Sequence, residues 1–560
     1  MWHNLKWIHF KTDGVLLSRG KKFRMLNLGL QNLLGSTTAG DAIAIVYVVL
    51  FAVFCVVVAA LAVWLLTKYI RRAKYAESYA TKLAAYEDKV KAAESDEEVL
   101  KKLVKPVRFS FVGILVAIIG LGVLLRVLFT FLVTGYRSEV NHLFNAYFGS
   151  GLLATDGIYT ARIYIYSFLG LFVRLFNVNI ASITASFFVK LPLILADVGL
   201  MIILYLAAKK HINEYCGLIM AGFVAFFPPF VFASSVWGSI YSLMAVFLVL
   251  ALYFMANKNY LGMFGAYTLA VLTASTALFL FPVFAVFVVY QFIKSIKYLR
   301  AYKISGFKDV WADKKSRNAI YLPLLILSFL IVSWLISLPM TLHLGGANPF
   351  MFIYFVYILP LARATFFGWD GLNVFNLFFR NDGEMGLSLS FTVFFAVLFV
   401  VIITALVLLV YISRKNRANL IYLAGYVLLT LNIYFIGATA LTLVPVLGIL
   451  TLALVFVRDK RILALTFMLG LLMTLNASFV LMSAGHWNNV YNAILSAQPY
   501  LFADTGWFVA NYVLSALIVV THVFATLVLL DIAIANKRKL FADLPDASFG
   551  KSLTKFLKAK

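Results

Sequence analysis

Long apolar runs separated by short basic clusters dominate the chain. The clearest runs are 42–67, 109–133, 191–208, 217–236, 240–255, 320–338, 391–411, 420–436, 439–457, 462–482 and 508–532. Each approaches the length of about 20 residues that spans a bilayer as a helix. The stretch 260–292 reads instead as two short helices broken near 273–276. Together these predict an all-α polytopic membrane protein with about 12–13 spanning helices. No internal repeat is visible.

Lys/Arg clusters fall at 68–108, 294–317, 414–417, 458–461 and from 537 onward. Placing them on the cytoplasmic side threads the chain without conflict from Lys294 to a cytoplasmic C-terminus. The loops 135–162, 339–390 and 483–507 then face outward. Two places resist this threading. Keeping Lys209 and Lys210 inside requires an odd number of crossings between 162 and 208, so 163–176 is expected to be re-entrant or interfacial. The basic arm 1–41 falls outside. Either it lies on the membrane surface as an amphipathic segment, or the extra helix 42–67 is not a full crossing.

Composition sharpens the class. The chain of 560 residues is 63% hydrophobic and 13% charged, with a mean hydropathy of +0.94. A soluble protein is roughly 45–50% apolar and about 25% charged. The net charge of +25 would suggest nucleic acid in a soluble chain, but basic loops between spans explain it without nucleic acid. Only Cys55 and Cys216 are present, both in or beside apolar runs, which excludes a disulfide framework and a cysteine-based zinc site. The first 35 residues are basic and mixed, unlike a cleavable signal peptide.

The segment 68–108 is charged with both signs. Tyr79, Leu83, Tyr86, Val90 and Ala93 alternate at spacings of four and three, a heptad-like seam. Ser95 and Glu98 form a capping-box pattern that would start a second short helix. This cytoplasmic hairpin either simply joins two spans or docks a membrane-protein partner. The basic tail 537–560, with Phe541, Leu544, Phe549, Leu553 and Leu557, suits an anionic lipid surface.

Several passages within 135–482 occur in an order that resembles the polyprenyl-phosphate-sugar-dependent glycosyltransferases of the GT-C superfamily. The closest likeness is to the bacterial relatives of the GPI-anchor mannosyltransferase. Lys190-Leu-Pro-Leu-Ile-Leu-Ala-Asp197 is similar to the family's K-L-P-x-I-x-A-D. Ala233-Ser-Ser-Val-Trp-Gly238 resembles S-x-V-W-G-Q-x-D-S, and Asn373-Val-Phe-Asn-Leu377 resembles N-A-F-N-L. Tyr164-Ile-Tyr166 resembles the end of Y-P-P-G-Y-x-Y, and Gly135-Tyr136 opens the equivalent of the first outer loop. The resemblance implies a GT-C-like domain over 109–536, with re-entrant or interfacial helices in its outer loops. It further implies a membrane lipid environment, a polyprenyl-phosphate-linked sugar as ligand, and residence in a bacterial cytoplasmic membrane.

The positions that carry chemistry in the family differ here. The W-G-Q-x-D-S motif becomes Trp237-Gly-Ser-Ile-Tyr-Ser242, losing Gln and Asp. T-K-P-Q becomes Thr273-Ala-Ser-Thr276. Y-P-P-G becomes Thr160-Ala-Arg-Ile163. H-E-R-Y becomes Thr439-Ala-Leu-Thr442, with Pro445 kept. Scaffold residues persist while ionisable ones are lost, as expected of a pseudoenzyme.

Sugar transfer from a lipid phosphate needs a base for the acceptor hydroxyl and positive charge for the departing phosphate. Glu139 stands where the resemblance implies the family's catalytic Asp. The alternative is an ordinary interfacial carboxylate paired with Arg137. Asp156 is a second acid or metal ligand, or else part of a Thr155-Asp-Gly157 turn. Arg162, Arg363 and Arg380 are outer-face cations suited to phosphate oxygens; as interfacial anchors they need no ligand. Trp369, Asp370 and Trp487 could contact sugar, or form an aromatic belt. Asp197 lies inside an apolar run, where an ionisable group is functional or paired; the resemblance implies a structural role for it. His343 and His486 are too isolated to suggest a metal site. No cofactor is implied with certainty, and a divalent cation enters only if the protein is active.

Three functions follow. The leading one is a catalytically degenerate GT-C-like protein that supports an active partner in cell-surface glycan or glycoprotein assembly. The second is an active outer-face transferase using Glu139. The third, a lipid-linked-glycan flippase or transporter, lacks the internal repeat common in that class.

Overall fold

A computed structural model describes residues 111–132, 165, 166, 169, 183–302, 306–343, 371–377, 417–434, 439–485 and 505–535. The arm 1–41, the runs 42–67 and 391–411, the hairpin 68–108 and the tail 537–560 lie outside them. Of the expected re-entrant segment 163–176, only Ile165, Tyr166 and Leu169 are described; they are helical, and Tyr166 is buried.

The described residues form helices and turns, with no strand among them. We number the helices in order: α1 Phe111–Leu132, α2 Ile183–His211, α3 Glu214–Phe226, α4 Pro228–Val231, α5 Tyr241–Ala256, α6 Tyr260–Thr273, α7 Phe281–Ala301, α8 Phe307–Ala312, α9 Lys314–His343, α10 Arg417–Tyr434, α11 Leu443–Val457, α12 Lys460–Gly485 and α13 Thr505–Leu529. Seven helical segments among them are long and apolar enough to cross a membrane. The bent pair α3–α4 makes an eighth if it is a single span. Shorter apolar helices are α5, α6 and most of α10. This is a multi-pass membrane protein.

Burial orders the bundle. In α11 nearly every residue is enclosed, because α5, α10, α12 and α2 pack around it. By contrast α1 buries only Gly122, Arg126 and Thr130, residues four apart and so on one helix face. Its other faces expose Val116, Leu121, Leu124 and Leu128, as a helix facing lipid must.

Three breaks interrupt the helices, each with a chemical cause. Pro228 and Pro229 lack backbone N–H groups, and α3 and α4 meet there at 51°. After α4 a π-helical turn, Phe232–Val236, runs into Gly238, whose φ of 64° suits glycine and stops the helix. Beyond α6, Ala274 is extended and a 3-10 turn, Ser275–Leu280, leads into α7. That break lies within the expected 273–276 interval. The run 217–236, expected as one span, is divided at the prolines.

One end of the bundle is tied by polar and charged side chains. Lys209 pairs with Glu214 (2.6 Å), and Lys210 Nζ donates to the Asn257 side chain (2.9 Å). Arg458, in a left-handed cap at φ 60°, donates to the carbonyl of His211. Arg461 bridges Asp459 and Asp531, both at 2.7 Å. Asn213 caps α3 by accepting from the N–H of Cys216 (2.7 Å). The loops α2–α3, α5–α6 and α11–α12 and the end of α13 therefore share this basic end.

Candidate functional site

The most elaborate polar site lies at the α3–α4 break. Pro228 and Pro229 cannot donate to the carbonyls of Val224 and Ala225, the acceptors four residues earlier in a regular helix. The guanidinium of Arg126 takes their place. Its Nη2 donates to Val224 O (3.0 Å) and its Nη1 to Ala225 O (2.9 Å). Nη1 also donates to Gly122 O (3.0 Å) on its own helix, and Nε donates to Asp197 Oδ2 at 2.7 Å. Both Arg126 and Asp197 are 0% exposed. A lone buried charge in an apolar interior is very costly, so the pair is obligatory. The cation also meets the negative end of α3.

The arrangement extends into the next turn. Thr130 donates to Arg126 O (2.9 Å) and lies 3.3 Å from Ser235 O in the π-helical turn. Ser234 and Ser235 are buried and donate back to Phe230 and Val231. Asp197 Oδ1 makes no hydrogen bond among the described residues. The nearby Ser234 hydroxyl donates instead to Phe230 O (3.1 Å). Trp237 Nε1 and Ser242 Oγ are likewise buried without hydrogen bonds among the described residues. Lys190 is buried two turns before Asp197 on α2.

A second polar site is a small pocket lined by Met244, Thr276, Phe279, Leu428, Leu431, Asn432 and Thr442, with room for about one water molecule. Asn432 Nδ2 donates to Leu428 O (3.0 Å) and Thr442 O (3.2 Å). Thr442 Oγ1 bonds to Asn432 Oδ1, and Thr276 Oγ1 approaches Met244 Sδ at 3.5 Å. The lining holds no ionisable group. Such a pocket can orient a small polar group, but its walls cannot exchange protons with it near neutral pH.

These sites bring together passages that are distant in the sequence. Arg126 joins the Asp197 passage to the helix that leads into Ala233–Gly238. The pocket joins Thr273–Thr276 to Thr439–Thr442. Asn373–Leu377 includes a 3-10 turn packed on α13, and Asn373 is buried.

No protein-family model matches the chain, and no curated protein matches it.

Of the expected site residues, Asp197 is described, and it is a paired intramembrane carboxylate. Glu139, Asp156, Arg162, Arg363, Trp369, Asp370, Arg380 and Trp487 lie outside the described residues, as does His486. Among the described residues, no three His, Cys, Asp or Glu side chains converge. Sequence reasoning missed Arg126. Its signal was a single cation in an apolar run, with Gly122 and Thr130 one turn to either side and a Pro-Pro pair elsewhere that strips two carbonyls of their donors.

Proposed function

We propose that this protein is a GT-C-like membrane protein of the bacterial cytoplasmic membrane, with a cytoplasmic C-terminus. In this reading it has lost transferase chemistry and assists an active partner in assembling cell-surface glycans or glycoproteins. One observation carries the reading. The pocket between α5 and α10 joins two passages in which the resemblance has Lys, Gln, His, Glu and Arg, and its lining here is neutral. Thr276 stands where the resemblance has Gln and Thr442 where it has Tyr, and they bond to Met244 and Asn432. Retained scaffold beside a neutral pocket suits a protein that holds a polyprenyl-phosphate-linked sugar or a partner without cleaving the sugar–phosphate bond. The hairpin 68–108 is the proposed docking element for that partner.

The test is complementation of a deletion strain, with surface glycans and glycoproteins profiled by mass spectrometry. Wild type, Glu139→Gln and Asp156→Asn are compared at matched membrane levels. The proposal expects all three to restore the profile. If wild type restores a missing sugar and Glu139→Gln does not, the protein is an active outer-face transferase, with Glu139 as base and a role for a divalent cation to be tested. Deleting 68–108 is expected to abolish complementation without lowering membrane levels.

A further inference from the structure

The described surface carries one cationic stripe that the charge network at the basic end does not absorb. On α7, Val289, Ile293, Lys297 and Arg300 follow one another at spacings of four, four and three, and so line one helix face. Val289 and Ile293 are exposed apolar residues; Lys297 and Arg300 are exposed too, as is Lys294 beside them. The opposite face is packed into the bundle by Val283, Phe284, Phe287 and Val288. A lipid-facing stripe therefore turns cationic within a single helix. The neighbouring α9 shows the same order in reverse. Arg317 lies over the Tyr321 ring (5.8 Å), and exposed Leu324, Leu327, Ile331 and Leu335 follow.

The corner between the two helices is rigidly built. Ser316, fully buried, donates to Val310 O (2.8 Å) and lies 3.0 Å from Asp313 O, which ties α8 to the start of α9. Tyr298 on α7 interacts with Asp313. Tyr302 and Trp311 are exposed at this corner, where aromatic residues favour the membrane–water interface. At 1.5 Å per residue, Lys297 and Arg300 stand roughly 6 and 10 Å beyond Ile293. The polar layer on each side of the hydrocarbon core is about 5–8 Å thick, and long cationic side chains bend toward it.

We propose that the α7–α8–α9 corner binds anionic phospholipid headgroups. Charge complementarity carries this choice. Among the described residues, none of Lys294, Lys297 and Arg300 has an acidic ion-pair partner. The acids of the corner are Asp313, engaged with Tyr298, and exposed Asp309. The sequence adds Lys308, Lys314 and Lys315 to the same corner. The proposal stands independently of the glycan-assembly reading, because it needs only an anionic leaflet at this end.

The experiment uses the full-length protein in neutral detergent, with native mass spectrometry of phosphatidylglycerol binding against phosphatidylcholine. Each cation near an anionic surface strengthens binding about fivefold. The triple variant Lys294→Gln/Lys297→Gln/Arg300→Gln is expected to weaken phosphatidylglycerol binding on the order of 100-fold by that scale. Its phosphatidylcholine binding and thermal unfolding should match wild type. Lys258→Gln, at an exposed cation in the α5–α6 loop, is expected to bind as wild type, and so is the charge-conserving double variant Lys294→Arg/Lys297→Arg. Unchanged phosphatidylglycerol affinity in the Gln triple would leave the stripe to an acidic protein and overturn the proposal. Full competition by soluble glycerol phosphate would overturn it also, because the site would then recognise free phosphate rather than a bilayer lipid.

Discussion

Arg126 does three jobs with one guanidinium: it neutralises Asp197, terminates α3 and anchors α1. Removing it strands a buried carboxylate and two carbonyls. Breaking a buried ion pair costs about 3–5 kcal/mol, so Arg126→Leu is expected to destabilise by at least that much in a thermal or detergent unfolding series. The double variant Arg126→Leu/Asp197→Leu should recover part of this loss, but not all. The carbonyls of Val224 and Ala225 would still lack donors, at about 1–3 kcal/mol each. Adding Pro228→Ala restores an N–H opposite Val224 O, and should recover a further measurable fraction. Strict additivity of the Arg126 and Asp197 changes would contradict the pairing. Asp197 was legible in the sequence because a carboxylate in an apolar run stands out. Its partner was not, because it lies 71 positions away and hydropathy carries no information on which helices touch.

At the scale of elements, close approach and polar ladders hold the helices together. In a membrane, apolar side chains gain little by leaving lipid for protein, so small residues that allow backbone contact matter more. A Cβ on Gly217 would sit 2.8 Å from Tyr205 O, a backbone atom with little room to retreat. A Cβ on Gly222, in the same helix, meets nothing within 4 Å. Gly217→Ala is therefore expected to lower the unfolding midpoint and loosen the α2–α3 pair, at about 1–3 kcal/mol. Gly222→Ala should be neutral or slightly stabilising. Equal effects at both positions would contradict this packing. A second device joins α10 to α13. Tyr422, Tyr426 and Thr430, each four apart, bond respectively to Ala525 O (2.8 Å), Thr526 Oγ1 (3.1 Å) and His522 Nε2 (2.9 Å). Thr430 donates its own proton to Tyr426 O, so His522 donates from Nε2. Single intramembrane hydrogen bonds average about 0.6 kcal/mol. Tyr422→Phe is expected to cost roughly that, and Tyr422→Phe/Tyr426→Phe about twice as much, in the same unfolding assay.

For the molecule as a whole, the shared basic end makes topology testable. With Cys55 and Cys216 replaced by Ala, single cysteines at Lys258 and Lys297 are expected to react with a membrane-impermeant maleimide from the cytoplasmic side alone. Both positions are exposed. Labelling of either in intact cells would reverse the orientation proposed above. The structure also accounts for the division of 217–236, which hydropathy reads as continuous. Two prolines barely lower an average taken over about 20 mostly apolar residues, yet each removes a hydrogen bond that a straight helix needs.

The all-α membrane class and the places of the long apolar helices among the described residues were determined by the sequence alone. Hydropathy is a local sum over about 20 residues, and the bilayer forces any such stretch to satisfy its backbone internally as a helix. The break at 273–276 was legible for a similar local reason, since small polar residues interrupt the apolar run there. Only the tertiary structure decided that Arg126 answers both Asp197 and the Pro228–Pro229 break. It alone placed Thr276, Asn432 and Thr442 on one pocket. Those groupings depend on which helices are neighbours. Packing of small residues and complementary polar groups sets that choice, and these act between positions that no local pattern in the chain connects.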